Sequence, residues 1–212
     1  MIASDETVRL AADYLHSHDP LLAPIIDHYG LATIRPHQNY YQALVSSILG
    51  QQLSVKAAAS IKRRFCELFG SEQLPAPEQI LTKDVDVLRT AGLSRSKAVY
   101  IRDLAQHVID GKVVFDNLDS MSNEHIIQEL TAVKGIGEWT VHMFLMFCMG
   151  RLDVLPRGDL GIKNGVTTLY GLDHQATAED ITTIAETYQW HPYESIAAWY
   201  VWRSLENTPD SN

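Results

Sequence analysis

Apolar residues recur at helical spacing along almost the whole chain. Val8, Ala11, Ala12 and Leu15 make a first stripe, followed by a connection through Pro20 and Pro24. Tyr41, Leu44, Val45, Ile48 and Leu49 then predict a helix over Tyr40 to Leu49, ended by Gly50. Ser54 is placed to cap a helix from Val55 to Phe69. Pro75 and Pro77 punctuate a loop, and a short helix is expected over roughly Thr82 to Ala91. Ser96 is the expected cap of a helix whose apolar face is Val99, Ile101, Leu104, Ala105 and Val108, stopping at Asp110-Gly111. Ser122 starts another, with Ile126, Ile127 and Leu130 on one side, and an apolar helix follows from Trp139 to Met149. Beyond Asp159 a helix runs to about Tyr170, and Thr177 with Asp180 makes a capping-box start for one ending near Tyr188. The last helix carries Ile196, Trp199, Tyr200 and Trp202. Val113 to Phe115 is the sole strand-like run. The pattern predicts an all-α protein.

One stretch stands out from these helices. Lys134-Gly135-Ile136-Gly137 separates two of them, and its glycines permit a tight turn into a second helix near Glu138. The result is a helix-hairpin-helix. Backbone N–H groups and the positive end of the second helix face outward there, with no side chain at the glycines to hold off a large anion. A nucleic-acid phosphate suits such a place, although an ordinary glycine-rich link has the same sequence. One helix and a return loop later, Asp159 stands directly before Leu160, Ile162 and Val166, where it reads as a helix N-cap. That is a complete structural role. The return path would also bring a carboxylate beside bound phosphodiester.

Composition narrows the classes. The chain has 212 residues, 46% hydrophobic and 20% charged, as in an ordinary globular protein. No apolar run is long enough to span a membrane, and Met1-Ile2-Ala3-Ser4-Asp5-Glu6 has no secretion-signal character. An intracellular protein without membrane partners is expected. Net charge is −9, which argues against coating DNA by charge alone and leaves local basic groups such as Lys62, Arg63, Arg64, Arg95, Lys97, Arg151, Arg157 and Lys163. The two cysteines, Cys66 and Cys148, lie in apolar helical patterns and read as buried thiols; they are too few for an iron–sulfur cluster. The nine histidines show no ligand spacing, so no transition metal is assigned.

The segments Leu130 to Thr140 and Pro156-Arg157-Gly158-Asp159-Leu160-Gly161 resemble the helix-hairpin-helix (HhH-GPD) DNA glycosylases, most of all the 3-methyladenine DNA glycosylase II branch. Their signature is a Leu-x-x-x-x-Gly-[Ile/Val]-Gly hairpin, a Gly/Pro loop and an essential Asp. His18 to Ile26 and Gly92-Leu93-Ser94-Arg95-Ser96-Lys97-Ala98 are similar to the same branch, more loosely. The resemblance implies a two-lobed fold around a DNA cleft, with residues 35–150 as a helical bundle and residues 1–34 plus 151–212 as the second lobe. No counterpart of the N-terminal β domain of some members is expected. It also implies a monomeric, monofunctional DNA glycosylase of base excision repair that flips alkylated purines such as 3-methyladenine and 7-methylguanine out of damaged double-stranded DNA. Two rivals stand beside it: a non-catalytic module binding abasic or distorted DNA, and a glycosylase for another lesion.

By that likeness Asp159 is the catalytic residue, and Trp139, Met143, Trp190, Tyr193 and Trp199 are candidates for the base pocket. Gln51, Gln52, Leu53 and Ser54 would form the wedge that fills the gap in the duplex. Lys97, Lys134, Gly135, Gly137 and Thr140 would touch DNA, with a structural role equally open for Lys97. Backbone carbonyls of Thr131, Val133 and Ile136 would hold a Na+ or K+ ion, with no other cofactor required. Three departures matter. Trp139 stands where bifunctional members carry a Schiff-base Lys, so strand cleavage by an imine is not expected. Met143 replaces a Tyr and makes the pocket less aromatic. Glu194 stands where Arg is usual.

Overall fold

The computed structural model describes residues 1–207; residues 208–212, the end of the expected second lobe, lie outside the described residues. The chain divides into two compact units, one of residues 38–144 and one of residues 1–37 with 145–212. All named elements among the described residues are helical, and the Val113 to Phe115 strand does not form. Phe115–Ser120 is instead a 3-10 turn, anchored by fully buried Leu118. A single isolated bridge, Ile2 to Arg151, is the nearest approach to a sheet among those residues.

The unit of residues 38–144 is built from α3 (Tyr40–Gly50), α4 (Val55–Glu67), α5 (Pro77–Leu81), α6 (Val85–Arg89), α7 (Arg95–Ile109), α8 (Asn123–Thr131) and α9 (Glu138–Met143). α3 packs on α4 and α7, and α5 and α6 lie against α7. Leu44, Val45, Ile48 and Leu49 of α3 are buried together with Ile101, Leu104 and Ala105 of α7. Each buried aliphatic side chain of this kind contributes about 1.5–3 kcal/mol. The helix expected over Thr82 to Ala91 forms as α6, and the stretch from Pro77, expected as loop, forms the short α5 before it. The Arg102 guanidinium donates to the carbonyls of Leu81 and Lys83, closing α5 there, and Asp84 restarts the chain by accepting from the Val87 N–H at 2.8 Å. α7 also starts earlier than expected: Ser94, not Ser96, is its cap, with its hydroxyl accepting from the Lys97 N–H. α9 ends at Met143, and the chain continues as a π turn over Phe144–Cys148.

The unit of residues 1–37 and 145–212 contains α1 (Asp5–His18), α2 (Ala23–Tyr29), α10 (Leu160–Leu169), α11 (Ala178–Thr187) and α12 (Glu194–Ser204). The segment through Pro24 forms α2 because proline in a first helical turn forfeits no hydrogen bond. α12 is the centre: Ser195 through Val201 are all buried, and α1, α2 and α10 pack on it. Its contact with α10 is close, since a Cβ at Gly165 would fall 2.5 Å from Cγ1 of Val201. The Ser195 hydroxyl donates to the Arg151 carbonyl and accepts from the Val154 N–H, tying the loop before Asp159 to the helix. Cys148 is a free, buried thiol whose pKa burial pushes up to about 12.

Candidate active site

The hairpin follows from its sequence. Ser122 caps α8 by accepting from the His125 N–H, and buried Val133 and Ile136 pin both sides of the turn while Ile136 N–H donates to the Val133 carbonyl. Gly135 sits at φ +82°, and a Cβ there would fall 2.1 Å from Cδ2 of Tyr100. Backbone angle and ring contact both exclude a side chain. The hairpin is less bare than its sequence suggests. The Lys134 N–H already donates to Oδ2 of Asp103 at 2.9 Å, and the Lys134 ammonium lies 3.6 Å from the same carboxylate. Exposed Gly137 then caps α9 with no side chain of its own.

The turn between α3 and α4 is built against that hairpin. The Gln51 amide donates to the Gly135 carbonyl at 2.8 Å, so its side chain braces the hairpin instead of projecting. Gln52 occupies φ +56°, a left-handed conformation disfavoured for anything but glycine, and it is exposed, as is Leu53. Ser54 faces the helix, capping α4 through the Ala57 N–H. The Lys97 ammonium donates to the Leu49 and Gln51 carbonyls at 2.9 and 2.7 Å, which makes it a C-terminal clamp on α3. Burial lowers its pKa. The phosphate contact proposed for Lys97 therefore gives way to the structural one.

A cavity of about 1030 Å³ opens between these pieces, lined by Gln51, Gln52, Leu53, Lys97, Gly135, Trp139 and Thr140 together with Tyr100 and the hydroxyls of Ser46, Ser47, Ser94 and Ser96. Trp139 is 51% exposed, whereas Thr140 is buried. A hydroxyl-rich hollow with one open indole suits a planar, polar ring.

Asp159 belongs to the other unit. It is the N-cap of α10, its Oδ1 accepting from the Ile162 N–H at 2.8 Å, and the same oxygen accepts from the indole N–H of Trp202 on α12, also at 2.8 Å. The Trp202 ring lies 5.9 Å from that of Phe147 at 30°, and Phe147 is 37% exposed. The carboxylate is half-buried and held by donors that include these two, one of them from the Trp202 ring. It is suited to stabilise positive charge or orient a water.

The family model described as HhH-GPD superfamily base excision DNA repair protein matches residues 45–189, which span both the hairpin and Asp159. The chain belongs to the HhH-GPD superfamily. Among its relatives, the Schizosaccharomyces pombe alkylbase DNA glycosidase-like protein mag2 is 29% identical, covering 95% of this chain and 96% of its own. A solved Bacillus halodurans DNA-3-methyladenine glycosidase is 37% identical with a TM-score of 0.83, covering 93% and 89%. The Schizosaccharomyces pombe 3-methyladenine DNA glycosylase Mag1, solved with abasic DNA, is 32% identical with a TM-score of 0.77, covering 92% and 96%.

Within this HhH-GPD chain the late aromatics need correction. Trp190 is fully buried and donates from its indole to Asp19 at 2.8 Å, so no base can stack on it. Trp199 is 8% exposed, edge-on to Tyr29 and Tyr200 with the Arg203 guanidinium 4.6 Å from its ring centre. Trp190 and Trp199 are packing residues. Tyr193 is half-buried and lies edge-on to Tyr14. Met143 is half-buried and does not line the cavity. The residues missed were Tyr100, Phe147 and Trp202. Trp202 was visible only as one more apolar position on the last helix, and its partner lies 43 residues away.

Proposed function

We propose that this HhH-GPD protein is a monofunctional DNA glycosylase, a monomer inside the cell, that binds damaged double-stranded DNA and hydrolyses the N-glycosidic bond of alkylated purines such as 3-methyladenine and 7-methylguanine. The observation that carries this reading is the braced, half-buried carboxylate of Asp159 at the head of α10. The relatives named for 3-methyladenine support the substrate class. Alkylation leaves the purine cationic, so its bond to C1′ is already weakened. As that bond breaks, its electron pair leaves with the base, which departs neutral. Asp159 stabilises the cationic sugar, water adds at C1′, and the water's proton passes to the carboxylate and on to solvent.

The exposed Gln52-Leu53 tip serves as the wedge, Gly135 and Gly137 grip the strand, and Trp139 offers its face to a cationic base, an attraction of about 0.5–2 kcal/mol. No amine stands at Trp139, so the product is an intact abasic strand. The carbonyls of Thr131, Val133 and Ile136, at the negative end of α8, suit a Na+ or K+ ion that would neutralise a strand phosphate. The test is chromatography of bases released from methylated duplex DNA. Free alkylpurine from the wild type and none from Asp159→Asn is the expected result. Binding to abasic duplex without any release would favour the non-catalytic module, and release of a different base would redirect the substrate.

A further inference from the structure

We infer that Trp202 and Gly161 are positioning residues that together hold the Asp159 carboxylate in its working orientation, an inference resting on the reading of Asp159 as the catalytic group. The serine caps Ser54, Ser94 and Ser122 each take the amide three residues on. Asp159 takes that amide too, from Ile162, and in addition a 2.8 Å bond from the Trp202 indole on a different helix. The first bond fixes the carboxylate relative to α10. The second fixes it relative to α12, whose body is buried. Both donors converge on Oδ1, so the carboxyl plane cannot rotate without breaking one of them.

Gly161 supplies the independent observation. It lies in the first turn of α10 without the positive φ that makes glycine necessary elsewhere, and glycine inside a helix is costly relative to alanine. What it provides is room. A Cβ there would stand 2.9 Å from both Cδ1 and Nε1 of Trp202 and 3.0 Å from Oδ1 of Asp159. A methyl group at this point presses on both ends of the bond between the indole N–H and the carboxylate. The rest of the indole is braced by Phe147, so the ring has little freedom to yield. Trp202 acts through Asp159, and Gly161 acts through Trp202.

The experiment compares wild type, Trp202→Phe, Gly161→Ala and the double variant in single-turnover release of 7-methylguanine, in affinity for an abasic duplex and in thermal melting. Trp202→Phe keeps an aromatic ring and deletes the N–H. It should slow release by about ten- to a hundredfold, the worth of a hydrogen bond to a charged group, with unchanged abasic-duplex affinity. Gly161→Ala should do likewise, and the double variant should be no slower than the slower single, because both break one contact. Wild-type release by Trp202→Phe would overturn the inference, as would multiplying effects in the double variant, or affinity falling in step with rate. Should Gly161→Ala fail to fold, Trp202→Phe alone decides. A wild type that releases no base would instead remove the catalytic reading itself.

Discussion

Two aspartates of the same unit each accept from a backbone N–H and a tryptophan indole, and differ in burial. Asp19 accepts from the Leu21 and Leu22 N–H groups on Oδ1, and from the Tyr170 hydroxyl at 2.5 Å and the Trp190 indole at 2.8 Å on Oδ2. Asp159 accepts a backbone N–H and an indole N–H, both at 2.8 Å. Asp19 is fully buried, and Asp159 is not. With four donors and no access to solvent, Asp19 joins the end of α1 to Tyr170 and Trp190, and burial, with the Asp19 carboxylate adding to it, pushes the Tyr170 hydroxyl far up from its ordinary pKa. Asp159, held by donors that include these two, is only partly buried and still meets solvent. On the proposed reading, donor chemistry alone does not separate the structural carboxylate from the catalytic one; exposure does.

The largest effects test that separation directly. Asp159→Asn should lower single-turnover excision by about 10²–10⁴-fold, the range for a positioned acid–base group. Its melting temperature should move little, because Asn caps a helix about as well as Asp. Asp19→Ala should do the reverse. Leaving four donors around a void costs about 3–5 kcal/mol, roughly 10 °C in a chain of this size, while excision per folded molecule persists at low temperature. Calorimetry beside the excision assay reads both. Should Asp19→Ala abolish chemistry in folded protein, the comparison fails.

Lys97→Met is the next largest, and it asks the same question of a cation. The ammonium serves two carbonyls at the end of α3, so its loss should cost about 1–2 kcal/mol of stability. A lysine on a DNA phosphate would behave differently: its removal would lower the salt dependence of DNA affinity by about one unit of slope. The expected result is a lower melting point with an unchanged slope. A changed slope at constant stability would return Lys97 to the phosphate role.

What was legible in the sequence was whatever rests on neighbours close along the chain. Periodicity placed α3 and α8, and caps at Ser54, Ser122, Asp159 and Thr177 were readable because a cap needs only the amide three residues ahead. Ser94 and Ser96 were locally equivalent, and the sequence alone named the wrong one. The end of α5 is held by Arg102, some twenty residues away, which no local pattern announces. The site divides the same way. Gly135 and Asp159 were visible as local motifs, whereas the partners that brace them, Tyr100 and Trp202, come from distant helices. Trp190 and Trp199 were misplaced because an apolar ring has the same spacing whether it lines a pocket or fills a core.

A third carboxylate sharpens the comparison at its weak end. Asp180 stands at the third position of α11, where it accepts from the Thr177 N–H and hydroxyl, and it also pairs with His174 at 3.1 Å. Those bonds to Thr177 come first among the causes holding its pKa near about 2, below the ordinary 3.8, while Asp173 and then Asp180 raise that of His174 above 6.5. The sign follows. A depressed carboxylate stabilises the fold above pH 3.8, and that contribution is lost as pH falls toward 2. A raised histidine stabilises it below pH 6.5, and its contribution is lost as pH rises through the elevated value. Asp180→Asn should therefore lower the melting temperature most between about pH 4 and 6.5, and less on either side. Because the pair is exposed, the effect should be small and should shrink with added salt. Melts of wild type and variant at pH 2.5, 5.5 and 8.5 measure it. A gap that stays constant across that range would show that the Asp180 side chain contributes by shape alone, leaving the two indole-bound aspartates as the positions where charge decides the outcome.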